Sequence, residues 1–328
     1  MVLPLVSIVI NNCNYASFLR DAIDSSLNQT YSNCELIVVD DGSTDNSKAI
    51  ISEYGRRILP LFKQNGGQAS ALNAGFRQSQ GEIVIFLDAD DYLFPNAVEQ
   101  VVRMWHEGLS KVHYRLDVLD AAGQKIGTHP SSRLKLIRGQ AISALLNRGR
   151  YITSVTSGNA YSRTALEAVM PIPEAEFKIA ADGYLNAVVP FYGTLEAIDH
   201  SLGAYRLHGG NLWAMPSSHD VNKLQAAIAH DFTRYRYLRS TAEAFGYSTP
   251  TDFTRYDATH LKQQLLLTLL KPGKQGFLLK TFALLVRTIV AILLDETGSV
   301  FSKLYRIAHL VRELLRAYFL THLVNQES

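Results

Sequence analysis

Three carboxylates within four residues, in Asp88-Ala89-Asp90-Asp91, make the most chemically loaded stretch of this chain. At the end of a strand the side-chain period is two, so Asp88 and Asp90 lean the same way. Two hard oxygen donors side by side suit Mg2+ or Mn2+, an ion that would also hold a diphosphate. The plain alternative is a solvated acidic turn capping the helix that begins near Pro95. A second acidic loop, Asp40-Asp41-Gly42-Ser43, could accept a hydrogen bond from a base imide or a ribose hydroxyl. Its alternative is an Asx turn and helix cap, which Ser43, Thr44 and Asp45 could supply by themselves. Asn65-Gly66-Gly67-Gln68-Ala69-Ser70 could bring backbone close to a phosphate at a helix N-terminus, although a plain turn is the simpler reading. It matches neither a Walker loop nor a G-x-G-x-x-G fingerprint.

These carboxylates need a scaffold, and the first hundred residues supply one by alternation. Val6–Ile10, Glu35–Val39, Ile58–Phe62 and Ile83–Leu87 read as short buried strands. Helical spacing follows each of them, over Phe18–Leu27, from Asp45 to Tyr54, over Ser70–Gln78, and from Pro95 to Trp105. Strands apolar on both faces and joined by helices predict a mostly parallel α/β sheet covered on both sides. Right-handed crossovers then bring the loops with Asn14, Asp40, Asp41, Asp88, Asp90 and Asp91 to one carboxyl edge, where open α/β sheets bind ligands. Beyond this, a hairpin is predicted over Val112–Leu119 and Gln124–Gly127. Short helices and a small-residue loop, Thr153 to Asn159, follow within 134–170. A helix is predicted over Asp182–Phe191 and a strand over Leu195–Ile198.

The composition limits the partners. The 328 residues are 47% hydrophobic and 19% charged, with 32 basic and 30 acidic residues, so the net charge of +2 gives no global field for nucleic acid. Two cysteines, Cys13 and Cys34, cannot frame a disulfide scaffold or a zinc site. The opening residues lack a basic region and their apolar run breaks at Asn11, so no secretory signal is expected and the cytoplasm is the expected compartment. After about residue 216 only helices are predicted, over 217–247, His260–Leu270, Phe277–Leu294 and Val300–Val324. In the last, Lys303, Arg306, Arg312 and Arg316 oppose Leu304, Ile307, Val311, Leu314, Leu315 and Phe319. That pattern suits contact with an anionic membrane surface; the alternative is a bundle packed on the α/β domain or in a homo-oligomer. Two charges inside Phe277–Leu294 make spanning costly.

Four ordered segments, Ile10 to Tyr31, Val38 to Asp45, Asn65 to Gly75 and Phe86 to Asp91, together resemble family-2 glycosyltransferases of the GT-A fold. The resemblance covers about the first 215 residues, and with the change to helices alone near residue 216 it gives a catalytic domain over 1–216 and a helical extension over 217–328. It implies inverting sugar transfer from a nucleotide-diphosphate donor, a UDP-sugar by preference, with Mn2+ or Mg2+, to a glycan or lipid-linked acceptor in cell-surface polysaccharide synthesis. Carried over residue by residue, Asn14, Tyr15, Asp40, Asp41, Asn73, Asp88, Gly158 and Asn159 would meet the donor. Asp88, Asp90 and His208 would hold the metal, with Asp90 the more direct ligand, and Asp182 would be the general base. The departures are Cys13 in place of an aromatic residue, Leu72 in place of a basic one, and Ala181 where a glutamate usually precedes the catalytic aspartate. From the residues alone, Asp182 is otherwise an N-cap, and His208 with Arg206 and Asn211 otherwise ties down a loop. Two rival functions are a nucleotidyltransferase, for which the first loop lacks a basic glycine-rich phosphate cradle, and a non-catalytic scaffold that retains the fold.

Overall fold

Val6–Asn12 (β1), Cys34–Asp41 (β2), Leu59–Lys63 (β3) and Ile83–Asp88 (β4) form the parallel half of one nine-stranded sheet, ordered β3-β2-β1-β4, in a computed structural model of the chain. The structure describes residues 3–209, 211, 220–271, 277–295 and 299–324, with side chains left aside at 277, 278 and 318–324. The core residues of β1 and β4 have no exposed surface on either face, as their unbroken apolar runs require. Helices Ala16–Leu27 (α1), Ser47–Glu53 (α2), Gln68–Gln78 (α3) and Ala97–Met104 (α4) connect or follow these strands. Leu19, Ala22, Ile23 and Ser26 make the buried stripe of α1. The register sets Asn12 opposite Asp40 and Asn11 opposite Asp88, so three strands finish level at the carboxyl edge.

The other half of the sheet is mixed. Tyr92–Leu93 (β5), Leu109–Leu119 (β6), Lys125–His129 (β7), Asn159–Ser162 (β8) and Thr194–Arg206 (β9) extend the order as β4-β8-β6-β9-β5, with β7 paired to β6. Strand β8 is antiparallel to both β4 and β6, while β9 runs parallel to β6. The predicted hairpin is present, its turn held by Asp120 Oδ1, which accepts from Ala122 and Gln124 N–H. Two features differ from expectation. Strand β8 lies where loop and helix are expected, because Asn159-Ala160-Tyr161-Ser162 is too short and too polar at its ends to carry a strand signal. Strand β9 runs far past Ile198, although Asp199 and His200 interrupt its apolar run, because β6 and β5 pair with it on either side. Arg163–Val169 (α6) and Asp182–Val188 (α7) complete this unit, which comprises Met1–Ser132, Leu136–Ala141 and Ile152–Leu212.

The second unit comprises Arg133–Lys135, Ile142–Tyr151 and Trp213–Ser328. Its elements are Ile142–Arg148 (α5), Val221–Ala244 (α8), Ala258–Leu270 (α9), Phe277–Leu293 (α10) and Val300–Val324 (α11). The polar look of α8 has a local cause: its buried Asp231 and Arg234 belong to an ionic cluster. Arg150 donates to Asp231 at 2.7 Å and to Asp257 at 2.6 Å, Tyr235 donates to Asp257, and His260 contacts Asp231. Leu261 and Leu265 of α9 meet Leu284, Ala291 and Ile292 of α10 and Leu310 of α11 in a small apolar core. Among the described residues no helix is long and apolar enough to cross a membrane. The boundary expected near residue 216, the first residues of the helix expected from 217 and the side chain of Phe319 lie outside the described residues.

Candidate active site

The loops after β1, β2 and β3 are braced against one another. Asn12 Nδ2 donates to Asp40 Oδ2 and Ser43 Oγ, both at 3.1 Å, and Asp40 Oδ1 accepts from Ser43 N–H. Asn14 adopts φ 61°, and its Oδ1 accepts from the N–H groups of Thr44 and Asp45. Asp45 in turn accepts from Ala16 and Ser47 N–H at the starts of α1 and α2. Asp41 accepts from Gly66 N–H, Gly67 N–H and the Lys63 ammonium. Asn65 closes the group by donating to Asp41 O and to the Cys13 sulfur. Burial, then the Asp41 charge, pushes the Cys13 thiol up, which keeps it neutral.

The glycine loop serves protein rather than phosphate in this arrangement. Gly67 has φ 88°, and a Cβ there would lie 2.7 Å from Lys178 O. The first N–H groups of α3 are already taken: Gln68 donates to Lys178 O at 2.7 Å and Ala69 to Phe177 O. This pairing carries the 177–181 segment to the sheet edge. Ala180 then takes φ 56°; it and Asn14 are the two non-glycine residues with positive φ among the described residues, and both lie in loops at this edge. Helix α7 opens on Asp182 itself, with Ala181 at the N-cap position and no side-chain cap bond, so the N-cap alternative for Asp182 does not hold.

One side chain joins the two acidic elements. Gln68 Nε2 donates to Asp88 Oδ1 at 2.8 Å, and Gln68 Oε1 accepts from Ala181 N–H at 2.9 Å, next to Asp182. Asn11 also donates to Asp88 Oδ1, at 2.7 Å. Asp90 accepts from His208 Nε2 at 3.1 Å and from Asn211 Nδ2 at 3.2 Å, while the His208 ring stacks on Phe18 and meets the edge of Tyr15. Asp91 is fully buried; it accepts from Ser157 Oγ and Arg206 N–H. Burial, then the charge of Asp90, pushes the Asp88 carboxyl up to about 7, with Asp182 adding to the repulsion. Burial also raises Asp90 and Asp91. Asn186, one turn along α7, has Nδ2 3.5 Å from Asp182 Oδ2 and accepts from the fully buried Lys111, whose ammonium burial holds well below its usual range.

The structure therefore gathers Asp88, Asp90, His208, Tyr15 and Asp182 around one edge. It turns others inward. Asp40 has no exposed surface and closes its own loop, and Asp41 is 2% exposed and holds the glycine loop. Asn73 is buried and bonds Ile172 and Glu174, so it anchors a distant loop rather than a donor. Asn159 is likewise buried on Ser154 and Val155 carbonyls, and Gly158 is needed because a Cβ would lie 1.9 Å from Ser154 Oγ. Within that loop, which the family resemblance sets beside the donor sugar, Thr156 and Ser157 make the contacts to Gln68 and Asp91. Gln68 is expected at the site only through its backbone; its place directly after the glycine pair is the available signal for its side chain.

In kind, two carboxylates and an imidazole fit Mg2+ or Mn2+. In number, no three His, Cys, Asp or Glu side chains among the described residues converge as a ready ligand set.

Residues 7–167 match glycosyl transferase family 2. An uncharacterized glycosyltransferase of Nostoc sp. is 35% identical over 258 residues, which cover 76% of this chain and 79% of that one. One from Rickettsia prowazekii is 46% identical over 101 residues, 31% of this chain and 32% of its own length. The crystal structure of S. aureus TarS 1–349 in complex with UDP-GlcNAc superposes with a TM-score of 0.57 at 16% identity, covering 98% of this chain and 92% of that one, and has the same GT-A fold.

Proposed function

Because the chain belongs to glycosyl transferase family 2, we propose that it is an inverting, metal-dependent enzyme moving a sugar from a nucleotide-diphosphate donor to an acceptor hydroxyl. The observation that carries this reading is the Gln68 bridge, which sets the Asp88–Asp90 pair and the Asp182 turn at one edge. The acceptor hydroxyl gives its proton to the Asp182 carboxylate while its oxygen bonds the anomeric carbon. The bond from that carbon to the diphosphate oxygen breaks on the opposite face, and the nucleoside diphosphate leaves. Asp88, Asp90 and His208 would hold the metal, which when bound neutralises charge on the leaving diphosphate. Asp41 and Asp40 act by fixing the loops of the nucleoside side, with Asn14 and Tyr15 nearest the incoming donor.

A UDP-sugar is the preferred donor in this reading; TarS, with a similar fold, was crystallised with UDP-GlcNAc. The acceptor is a glycan or a lipid-linked glycan in cell-surface polysaccharide assembly, and the reaction is cytoplasmic. The test is thermal stability against nucleoside diphosphates and their sugars, with and without Mn2+ or Mg2+. Ligand at a hundredfold its Kd should stabilise by about 2.7 kcal/mol, a rise of a few degrees in Tm. A metal-dependent rise for one base, lost in Asp90→Ala, is expected. Nucleotide binding without turnover of any donor would favour the scaffold reading instead.

A further inference from the structure

Helix α10 is apolar on both of its faces. Leu284, Ala291 and Ile292 are buried in the core with α9, yet Leu279, Phe282, Val286, Val290 and Leu293 are exposed, Leu279 to 75% and Phe282 to 65%. Their spacing of three, four, four and three residues places them along one stripe. Helix α11 repeats the arrangement. Leu310 and Ala317 are buried, while Val300, Leu304, Val311 and Leu315 form an exposed stripe beside Phe301, which is 84% exposed. Apolar stripes of this length in water ask for an occupant.

The charges around them select it. Lys280 and Arg287 flank the α10 stripe, and Arg312 and Arg316 flank that of α11. Over residues 277–324 six basic residues stand against three acids, Asp295, Glu296 and Glu313. Asp295 is held by Arg148 and Arg306, Glu313 by Arg316, and Arg287 pairs with Asp252 at 3.4 Å, which leaves Lys280 and Arg312 as the flanking cations outside these pairs. A second copy docked on the same faces would set these cationic flanks against each other, because a two-fold interface matches a patch with itself. An anionic lipid surface accepts both parts, acyl chains for the stripes and headgroups for the flanks. With 17 residues and two interior charges, α10 lies in the interface plane rather than across it. We propose that the exposed faces of α10 and α11 dock this chain on an anionic phospholipid bilayer, independently of the catalytic reading.

The test is co-sedimentation of the full chain with phosphatidylcholine vesicles made with and without phosphatidylglycerol. Binding to the anionic vesicles that weakens with added salt is expected. Phe282→Asp with Phe301→Asp, both at exposed positions, should weaken it by about a hundredfold, given roughly tenfold or more per aromatic side chain withheld from the bilayer. Arg312→Gln should weaken it by about fivefold, the factor matching one surface cation near anionic lipid. Circular dichroism and unchanged nucleotide binding would show that the variants fold. A folded chain that ignores both vesicles overturns the proposal. So does a dimer, seen by sedimentation velocity, that the aspartate pair dissociates while vesicles are never bound.

Discussion

The Asp40–Asp41 loop and the Asp88–Asp91 loop look alike in sequence, each a run of two or three acids at the end of an apolar strand, yet they are built for opposite purposes. Asp41 is met by two backbone N–H groups and an ammonium, and Asp40 by an amide side chain and a backbone N–H. Those donors satisfy the charge and make each carboxylate a brace. Asp88, Asp90 and Asp91 instead crowd one another, with Asp182 close enough to add to the strain on Asp88. Asp88, Asp90 and Asp91 accept hydrogen bonds as well, so the contrast lies in their buried charges facing one another, which a cation or a proton would relieve. The difference lies in partners, not in residue type.

Exchanging stability for activity at the two loops is the strongest way to break this contrast. Asp88→Asn should reduce transfer by at least about a hundredfold, since removing a positioned charge from a reaction site costs that much. In chelated protein it should nonetheless raise Tm at pH 8 and leave it unchanged at pH 4. The sign follows from linkage: an acid raised to about 7 in the fold weakens it as pH climbs from about 4 to 7. Asp41→Ala should do the reverse, lowering stability by about 3 kcal/mol because it leaves Lys63 and two N–H groups without their acceptor. Equal losses of activity and stability at both positions, by thermal melts and donor turnover, would erase the distinction.

Gln68 sharpens the comparison because it belongs to neither loop and links one of them to Asp182. Gln68→Leu should lower kcat about tenfold through displaced geometry while donor KM and Tm move little. A drop in Tm with unchanged kcat would make it a packing residue only. His113 lies outside both loops and acts on stability alone, in acid. Its imidazole is pushed down to about 3 by burial and then by the Lys111 charge, so it is neutral in the fold and stability is lost as pH falls from about 6.5 towards 3. His113→Gln should flatten that acid limb of a Tm-against-pH profile.

The sequence pattern made the scaffold legible because its signals are local. Unbroken runs such as Val6–Ile10 and Ile83–Leu87 must be buried strands, and the right-handed crossover then determines which ends carry the acids. The working members of the site were less legible because long-range pairings decide them. Gln68 meets Ala181 113 residues away, and Asn73 meets Ile172 across 99 residues. No spacing rule shows that the first joins the site and the second leaves it. Strand β8 was hidden for the same reason, since its four residues are strand only between β4 and β6.

The most direct measurement is steady-state transfer and donor affinity of Asp182→Asn beside the unaltered chain, with the nucleotide sugar and metal identified by thermal shift. The account predicts donor Kd within about twofold of the unaltered chain and kcat lower by about a thousandfold, the range for loss of a general base. A near-normal kcat would contradict it, because the carboxylate brought to the edge by the Gln68 bridge would then not be the group that takes the proton.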